Sequence, residues 1–514
     1  MYKKTIISGV LALLIVACSS METTTETTHE KAVSGEASIS KSKIEISKDK
    51  KDSQQSLRKV DLSAFGNIPK SPKGVEFKYL TTASHLLQKK DYGLEKDEEA
   101  ALEFYKRTDI EAYGDNASFY RWNFVRSEGE LLQILEKNLT ALQRSRPKDV
   151  LQFKNGRWEK ASAPGKNPIG NLELLYVTER DQSGMALALL IKGSNGTYLV
   201  HNKYNLRKIL GGGTYKVFSS MNNNRLLTNP TLIPSGFFAF EKKDGNYHFY
   251  GGGYGHGVGL SQAGAQDMTK NYGKNYKEVM SFYYPGTAIS KFENRNIRVA
   301  ITNTEKKLDH KRVTLTTIHG MQVKFLGKTH NIPGGTTLTL RNTGTGIEIL
   351  SGGKPLAKGK GRVQISSQKS MLKLTSIKRK YKKNNSPSYH GEFQVTASGK
   401  DSLRIVNHVL LERYLENVVP SEMSPTFGVE PLKVQAIAAR TYAVRFQQRN
   451  GGKGSYDVDD TTKYQAYNYV EKNANSTAAI QATKGMILTY GGKIADTKYY
   501  SVTSGYGASS RAVW

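Results

Sequence analysis

Val418-Val419-Pro420-Ser421-Glu422-Met423 and, a few residues on, Val429-Glu430-Pro431-Leu432-Lys433-Val434-Gln435-Ala436-Ile437-Ala438-Ala439-Arg440-Thr441-Tyr442-Ala443 decide how this chain is read. Glu430 and Pro431 stand in a first helical turn, where an acid and a proline are favoured. Leu432, Ala436, Ala439 and Ala443 fall on one stripe of small and apolar residues, which predicts a closely packed helix over 429–448. Gln435 and Tyr442 lie seven apart and share a face that can line a cleft. Just before this helix, Glu422 sits among Val418, Val419, Pro420 and Met423. Such an apolar setting raises a carboxyl pKa by desolvation and suits a proton donor near neutral pH. On residue physics alone, a surface or capping glutamate is the commoner case.

Outward from this centre the chain reads as α+β and rich in short strands. Downstream, strands are expected at Met486 to Tyr490 and Lys498 to Val502. Immediately upstream, Glu412 to Val418 reads as a short helix. Residues 295–406 show alternating runs between Gly and Asn turns, at Ile297 to Ile301, Arg312 to Thr317, Thr336 to Leu340 and Leu403 to Val406. The basic stretch Lys378 to Lys383 reads most simply as a solvated hairpin loop. Further upstream, helices are expected at Leu94 to Thr108, Glu128 to Leu142 and Tyr276 to Tyr283. The first has acids early and bases late, in accord with the helix dipole; the second places Leu131, Leu132, Leu135 and Leu139 on one face. Strands fill Leu172 to Glu179, Ala186 to Lys192, Gly196 to Val200, Gly236 to Phe240 and Tyr247 to Tyr250. A Gly-rich passage, 251–264, follows.

At 514 residues the chain is long enough for two or three compact units. Its 29 Tyr supply apolar area together with hydroxyls for polar ligands. The net charge of +30 draws polyanions. The compartment narrows the choice. Lys3 and Lys4 precede an apolar run from Ile6 to Val16, too short for a good spanning helix, so residues 1–17 read as a secretory leader. The run ends in Leu14-Ile15-Val16-Ala17-Cys18, which resembles a bacterial lipobox. The single cysteine of the chain, Cys18, is thus the expected lipidation site and membrane anchor, and a disulfide within the chain is excluded. Residues 18–62 are poor in aromatics and rich in Ser, Thr, Lys and Glu, as a flexible tether would be. A protein exported to the cell envelope, with the outer membrane one possibility, meets wall polymer and anionic lipid rather than nucleic acid.

A resemblance sharpens this reading. Leu403-Arg404-Ile405-Val406-Asn407, Leu411-Glu412-Arg413-Tyr414-Leu415, the Pro420-Ser421-Glu422-Met423 segment and the helix from Leu432 to Ala443 resemble the stage II sporulation protein D and amidase-enhancer (SpoIID/LytB) family. Asp460-Thr461-Thr462, Gln465-Ala466-Tyr467, Ala482-Thr483-Lys484-Gly485 and Tyr500-Ser501-Val502-Thr503-Ser504-Gly505 continue it in order. Gly253-Tyr254-Gly255-His256-Gly257-Val258-Gly259-Leu260-Ser261-Gln262-Ala263-Gly264-Ala265 and Tyr283-Tyr284-Pro285-Gly286-Thr287 resemble that family's later half, yet they come first here. The expected organisation is therefore a later half over 63–293 and an earlier half over 294–514, in circularly permuted order. A truncated chain that once carried two copies is the alternative. Tyr506 stands where the family usually has glycine, and Leu260 where Met is common.

The resemblance implies a lytic transglycosylase that cuts the MurNAc–GlcNAc bond of peptidoglycan strands stripped of stem peptides and leaves a 1,6-anhydro end. Glu422 matches the family's catalytic glutamate. Hydrolytic glycosidases use two carboxylates; one suffices when the sugar's own C6 hydroxyl is the nucleophile. Lys433, Gln435, Arg440, Tyr442, Asp460, Gln465, Tyr467 and Ser504 match motif positions expected to bind substrate. Arg440 reads equally as half of a structural ion pair, and Asp460 as the cap of the Thr461-Thr462 turn. His256, Ser261 and Gln262 are candidate sugar contacts, in a passage where six glycines within 251–259 let backbone approach a ligand. His248, His256 and His319 lack metal-ligand spacing, and no cofactor is called for. Two rival readings remain: a non-catalytic wall-binding lipoprotein that stimulates an N-acetylmuramoyl-L-alanine amidase, and a scaffold.

Overall fold

A computed structural model describes residues 60–513 apart from 163–164, 220–224, 380–384, 451 and 469–472. The leader, Cys18 and nearly all of the tether lie outside the described residues, as do Lys380 to Lys383. Among the described residues, no helix is long and apolar enough to cross a membrane.

The body is mixed α+β and dominated by strands. Its first part holds two five-stranded sheets. One runs in the order 238–243, 246–251, 122–127, 214–219, 225–228; the other runs 157–160, 150–154, 197–201, 186–193, 172–180. The helix expected from Leu94 is Glu98–Lys106, because the Asp97 side chain caps it by accepting from Glu99 N at 3.0 Å. The next helix, Glu128–Ser145, buries Leu131, Leu135 and Leu139 fully. The helix at Tyr276–Tyr283 begins in a reciprocal capping box between Asn275 and Glu278.

The second part holds a seven-stranded and a six-stranded sheet. The central strands of the former are β1 (Asn296–Ile301), β2 (Val363–Ser366), β3 (Glu392–Ser398) and β4 (Ser402–Leu410), in the spatial order β2-β3-β4-β1. Their alternation sends Val299, Ile365, Phe393 and Ile405 into the core and Arg298, Gln364, Gln394 and Arg404 outward.

Three helices carry the region that decided the reading: α1 (Gln262–Lys270), α2 (Leu411–Glu422) and α3 (Val429–Asn450). α2 runs one turn further than expected. Pro420 is accommodated inside it, and the last turn is closed by Met423 N donating to Val419 O at 3.0 Å. Glu422 is therefore the last residue of a helix and not part of a loop. α3 is buried on nearly every side from Pro431 to Val444, with Lys433 the exception. Such a helix belongs between two cores. Val434, Ile437 and Ala438 join the core of the first part, while Leu432, Ala436, Ala439 and Ala443 join that of the second.

Two expectations are corrected. Arg379, placed on the sequence in a solvated loop, is buried and ion-paired with Asp460. Asp460 does not cap the Thr461-Thr462 turn; Asp459 does, accepting from Thr461 N at 2.9 Å. A lone carboxylate in an apolar interior needs an opposite charge, and Arg379 supplies it from a distant strand connection that spacing could not reveal.

Candidate active site

Glu422 is 8% exposed. Its Oε1 accepts a hydrogen bond of 2.5 Å from Ala466 N, and its carboxyl is also bonded by the Tyr499 hydroxyl. Burial outweighs both bonds and pushes the pKa up from 4.5 to about 7.

The surrounding polar groups form one chain with fixed directions. Gln465 Nε2 donates to the carbonyl of Ala439 at 3.2 Å, which settles the orientation of its amide, and Tyr414 donates to Gln465 Oε1 at 3.1 Å. The same Nε2 lies 3.1 Å from the Tyr499 oxygen and donates to it. With its oxygen accepting, Tyr499 has its own hydrogen free for the Glu422 carboxyl. Gln262 Nε2 donates to the backbone carbonyl of Glu422 at 3.0 Å and to Gln435 Oε1 at 3.2 Å. Gln435 is fully buried on α3, and its Nε2 has no partner among the described residues.

The Gly-rich passage docks on the strand that carries Tyr499. Leu260-Ser261 pairs in parallel with Tyr499-Tyr500, Leu260 N donates to Lys498 O at 3.0 Å, and Tyr254 bridges Val502. Gly259 has φ +75°, and a Cβ there would stand 2.2 Å from Lys498 O, so glycine is required by both space and backbone. His256 Nδ1 accepts from Val258 N at 3.1 Å, which leaves the other ring nitrogen to bond the Tyr499 backbone. Burial first, then the positive charges of Lys203, Lys498 and Arg207, hold His256 well below 6.5 and hence neutral. It props the strand behind the acid.

The remaining sequence candidates divide. Tyr442 packs on Tyr499 with ring centroids 6.5 Å apart and lies beneath Lys498 Nζ at 4.9 Å, beside the acid. Tyr467 packs on Tyr414 with tilted rings 4.8 Å apart and donates to Asn407 Oδ1 at 2.9 Å, which ties it to the sheet. Arg440 makes a two-pronged ion pair with Glu412, at 2.9 and 2.8 Å. Ser261 caps α1 by accepting from Gly264 N at 3.2 Å. Lys433 pairs with Glu430 at 2.5 Å. Ser504 is fully buried, and its carbonyl accepts from Arg121 at 2.8 Å. Tyr506, at the position where glycine is usual, donates to Lys90 O at 2.9 Å. Tyr499, Tyr414 and the Ala466 N–H are the site groups the sequence reading left out. Both tyrosines stand inside or next to quoted motif pieces, but nothing in spacing aims them at Glu422. Among the described residues, no group of three or more His, Cys, Asp or Glu side chains is placed to hold a metal.

With this geometry in view, comparison with known proteins shows what one segment of the chain is similar to. Residues 399–490, which contain Glu422, α3 and Gln465, match the family model for stage II sporulation protein. The chain carries a segment of the SpoIID/LytB family. A second model, a domain of unknown function (DUF8618), matches residues 155–259. Among individual relatives, stage II sporulation protein D of Bacillus subtilis is 38% identical over 125 residues, 21% of this chain and 36% of that protein. The amidase enhancer of the same organism is 37% identical over 100 residues, 20% of this chain and 13% of that protein. An uncharacterized protein of Brachyspira hyodysenteriae is 41% identical over 115 residues, 22% and 31% of the two chains. The chain thus spans about a third or less of the length of these relatives. No solved structure matches.

Proposed function

We propose that the protein is a lytic transglycosylase of peptidoglycan, cutting the MurNAc–GlcNAc β-1,4 bond of peptide-stripped strands. One observation carries the reading: a carboxyl with a pKa of about 7, buried at the end of α2 with one oxygen fixed by the Ala466 N–H. A group titrating there is half protonated at neutral pH and serves as acid and base in turn. Glu422 gives its proton to the glycosidic oxygen as the C1–O4 bond breaks. The resulting carboxylate, held by Ala466 N–H and the Tyr499 hydroxyl, takes the proton of the muramyl C6 hydroxyl as O6 bonds to C1. The products are a free 4-hydroxyl end and a 1,6-anhydro end, and no water is consumed. Gln262 and Gln435 steady the end of α2, and Tyr442 with Lys498 packs beside Tyr499.

Export, lipidation at Cys18, residence in the cell envelope and the permuted order of the two halves belong to the same proposal. It is supported by the leader, the lipobox resemblance and the bonds that join 253–263 to 498–502. The name of the amidase enhancer favours the rival role, stimulation of an amidase without cleavage. Residues 19–514 incubated with peptide-stripped strands separate the two. The expected result is 1,6-anhydro products by mass spectrometry that vanish in Glu422→Gln. Folded protein that binds strands and leaves them whole would establish the enhancer role instead.

A further inference from the structure

The net charge is not evenly spread. Residues 295–410 contain 22 Lys and Arg against five Asp and Glu, a net +17 of the whole chain's +30. This segment builds most of the two large sheets of the second part; three of its lysines lie outside the described residues and Arg379 is buried, while most of its other bases are exposed. The face of β1 to β4 turned away from the core has a cavity of about 300 Å3 lined by Arg298, Arg362, Arg404, His408, Gln394 and Thr396, among others. Cross-strand register gathers them: Arg298 faces His408, and Arg404 faces Thr396.

The arginines are not equally engaged. Arg298 is locked to Asp457 at 2.7 Å and to the Gly454 carbonyl at 2.8 Å, and forms a fixed wall. Arg404 touches Asp309 through one Nη at 3.2 Å, while its buried Nε has no partner among the described residues. Arg362 is exposed and makes no ion pair among the described residues. Glu392, opposite His408 on β3, is a further acid of this face and accepts from Gln364 and Gln394. Two guanidinium groups thus keep donors for a further carboxylate or phosphate, beside amide and hydroxyl side chains suited to sugar hydroxyls. Among the described residues no Phe, Tyr or Trp lines the cavity, so it lacks the broad stacking faces of a neutral sugar site, and no large exposed apolar side chain lies there to enter a lipid surface.

We infer that this sheet face is a binding groove for an acidic glycan, seating one anionic group between Arg362 and Arg404. It lies on the side of the sheet opposite the core on which α2 and α3 pack, and does not rest on the role of Glu422. A strand held there is kept at the protein between encounters with Glu422.

The test is binding of the full chain carrying Glu422→Gln, which cannot consume the probe. The probes are peptide-stripped glycan strands with free lactyl carboxylates, the same strands amidated, and phosphatidylglycerol vesicles. Arg362→Gln with Arg404→Gln is expected to weaken binding of the native strands about tenfold. Lys354→Gln with Lys358→Gln, an equal charge loss at exposed positions on the other sheet, is expected to cost less than about twofold. Amidated strands should bind weakly and no longer distinguish the variants. Arg362→Gln alone removes no internal bond, so it reports even if the double variant folds poorly. Equal losses from the two lysine and two arginine changes, undiminished binding of amidated strands, or vesicle binding that depends on the arginines while strand binding does not, would each overturn the inference. Failure of wild-type protein to cleave glycan would sink the enzyme reading and leave this one standing.

Discussion

Glu422→Gln is expected to make the protein more stable above neutral pH while abolishing cleavage. The reasoning runs through linkage. In the unfolded chain the carboxyl titrates near 4.5, and in the folded protein near 7. Below about pH 4.5 it is neutral in both states and costs nothing. Between about 4.5 and 7 the unfolded chain gives up a proton that the buried carboxyl keeps, so stability is lost across that window and levels off once the folded carboxyl also ionises above 7. The gap of about 2.5 pH units, at about 1.4 kcal/mol each, amounts to roughly 3 kcal/mol when fully developed by pH 8 to 9. Glutamine keeps an oxygen to accept from Ala466 N but never takes a charge. The variant should therefore match wild type below about pH 4 and exceed it by about 3 kcal/mol at pH 8 to 9. Urea unfolding followed by the fluorescence of the buried Trp122 measures this across the range. Parallel curves for the two proteins would refute the raised pKa, and with it the physical ground for an acid at this position. A gain in stability bought with activity is the usual signature of a site strained for function.

Tyr499→Phe removes a hydrogen bond that favours the charged carboxyl, so the alkaline limb of the pH–rate profile should move above 7, with activity at neutral pH falling about tenfold. Arg440→Ala leaves the largely buried Glu412 without its cation, at a cost of about 3 kcal/mol in urea unfolding, whereas Arg440→Met with Glu412→Leu should restore most of it. Gly259→Ala drives a methyl into the Lys498 carbonyl at a left-handed φ. A loss of at least about 2 kcal/mol is expected, with a raised protein yield only if Lys498 to Tyr500 is displaced and cleavage lost.

Local pattern gave away the elements and left their partners hidden. The small-residue stripe of α3, the early acids of Glu98–Lys106 and the leucine face of Glu128–Ser145 are each written in residues within two turns of one another, and each helix forms where these signals fall. The strand at Met486–Tyr490 also forms where it was expected. Glu422 was legible as an acid because its neighbours in sequence are also its neighbours in space. What sequence could not show was the destination of a side chain. Arg379 reads as one more base in a basic run, yet it is the counter-ion of Asp460, 81 residues away. Ser261 reads as a sugar ligand in a glycine-rich loop and is spent on a helix cap. Tyr499 is one of 29 tyrosines, and only folding brings its hydroxyl to Glu422.

The site also shows why so many polar residues can be buried together. Gln262, Gln435, Gln465, Tyr414, Tyr499 and Glu422 come from five separate segments, and each is costly to bury alone. Each also satisfies a neighbour: Gln262 spans the end of α2 and the side of α3, Gln465 orients Tyr499 while bonding α3, and Tyr499 holds the acid. Removing either side of α3 would leave amides, a carbonyl and a carboxyl in an apolar interior without partners. The helix therefore has to be enclosed by both parts of the chain before the acid can exist in its raised state. Glu422 gains its pKa from that enclosure, since burial is the largest cause of the shift and both of its hydrogen bonds act against it. The same packing that orders the network thus keeps the carboxyl protonated up to about pH 7.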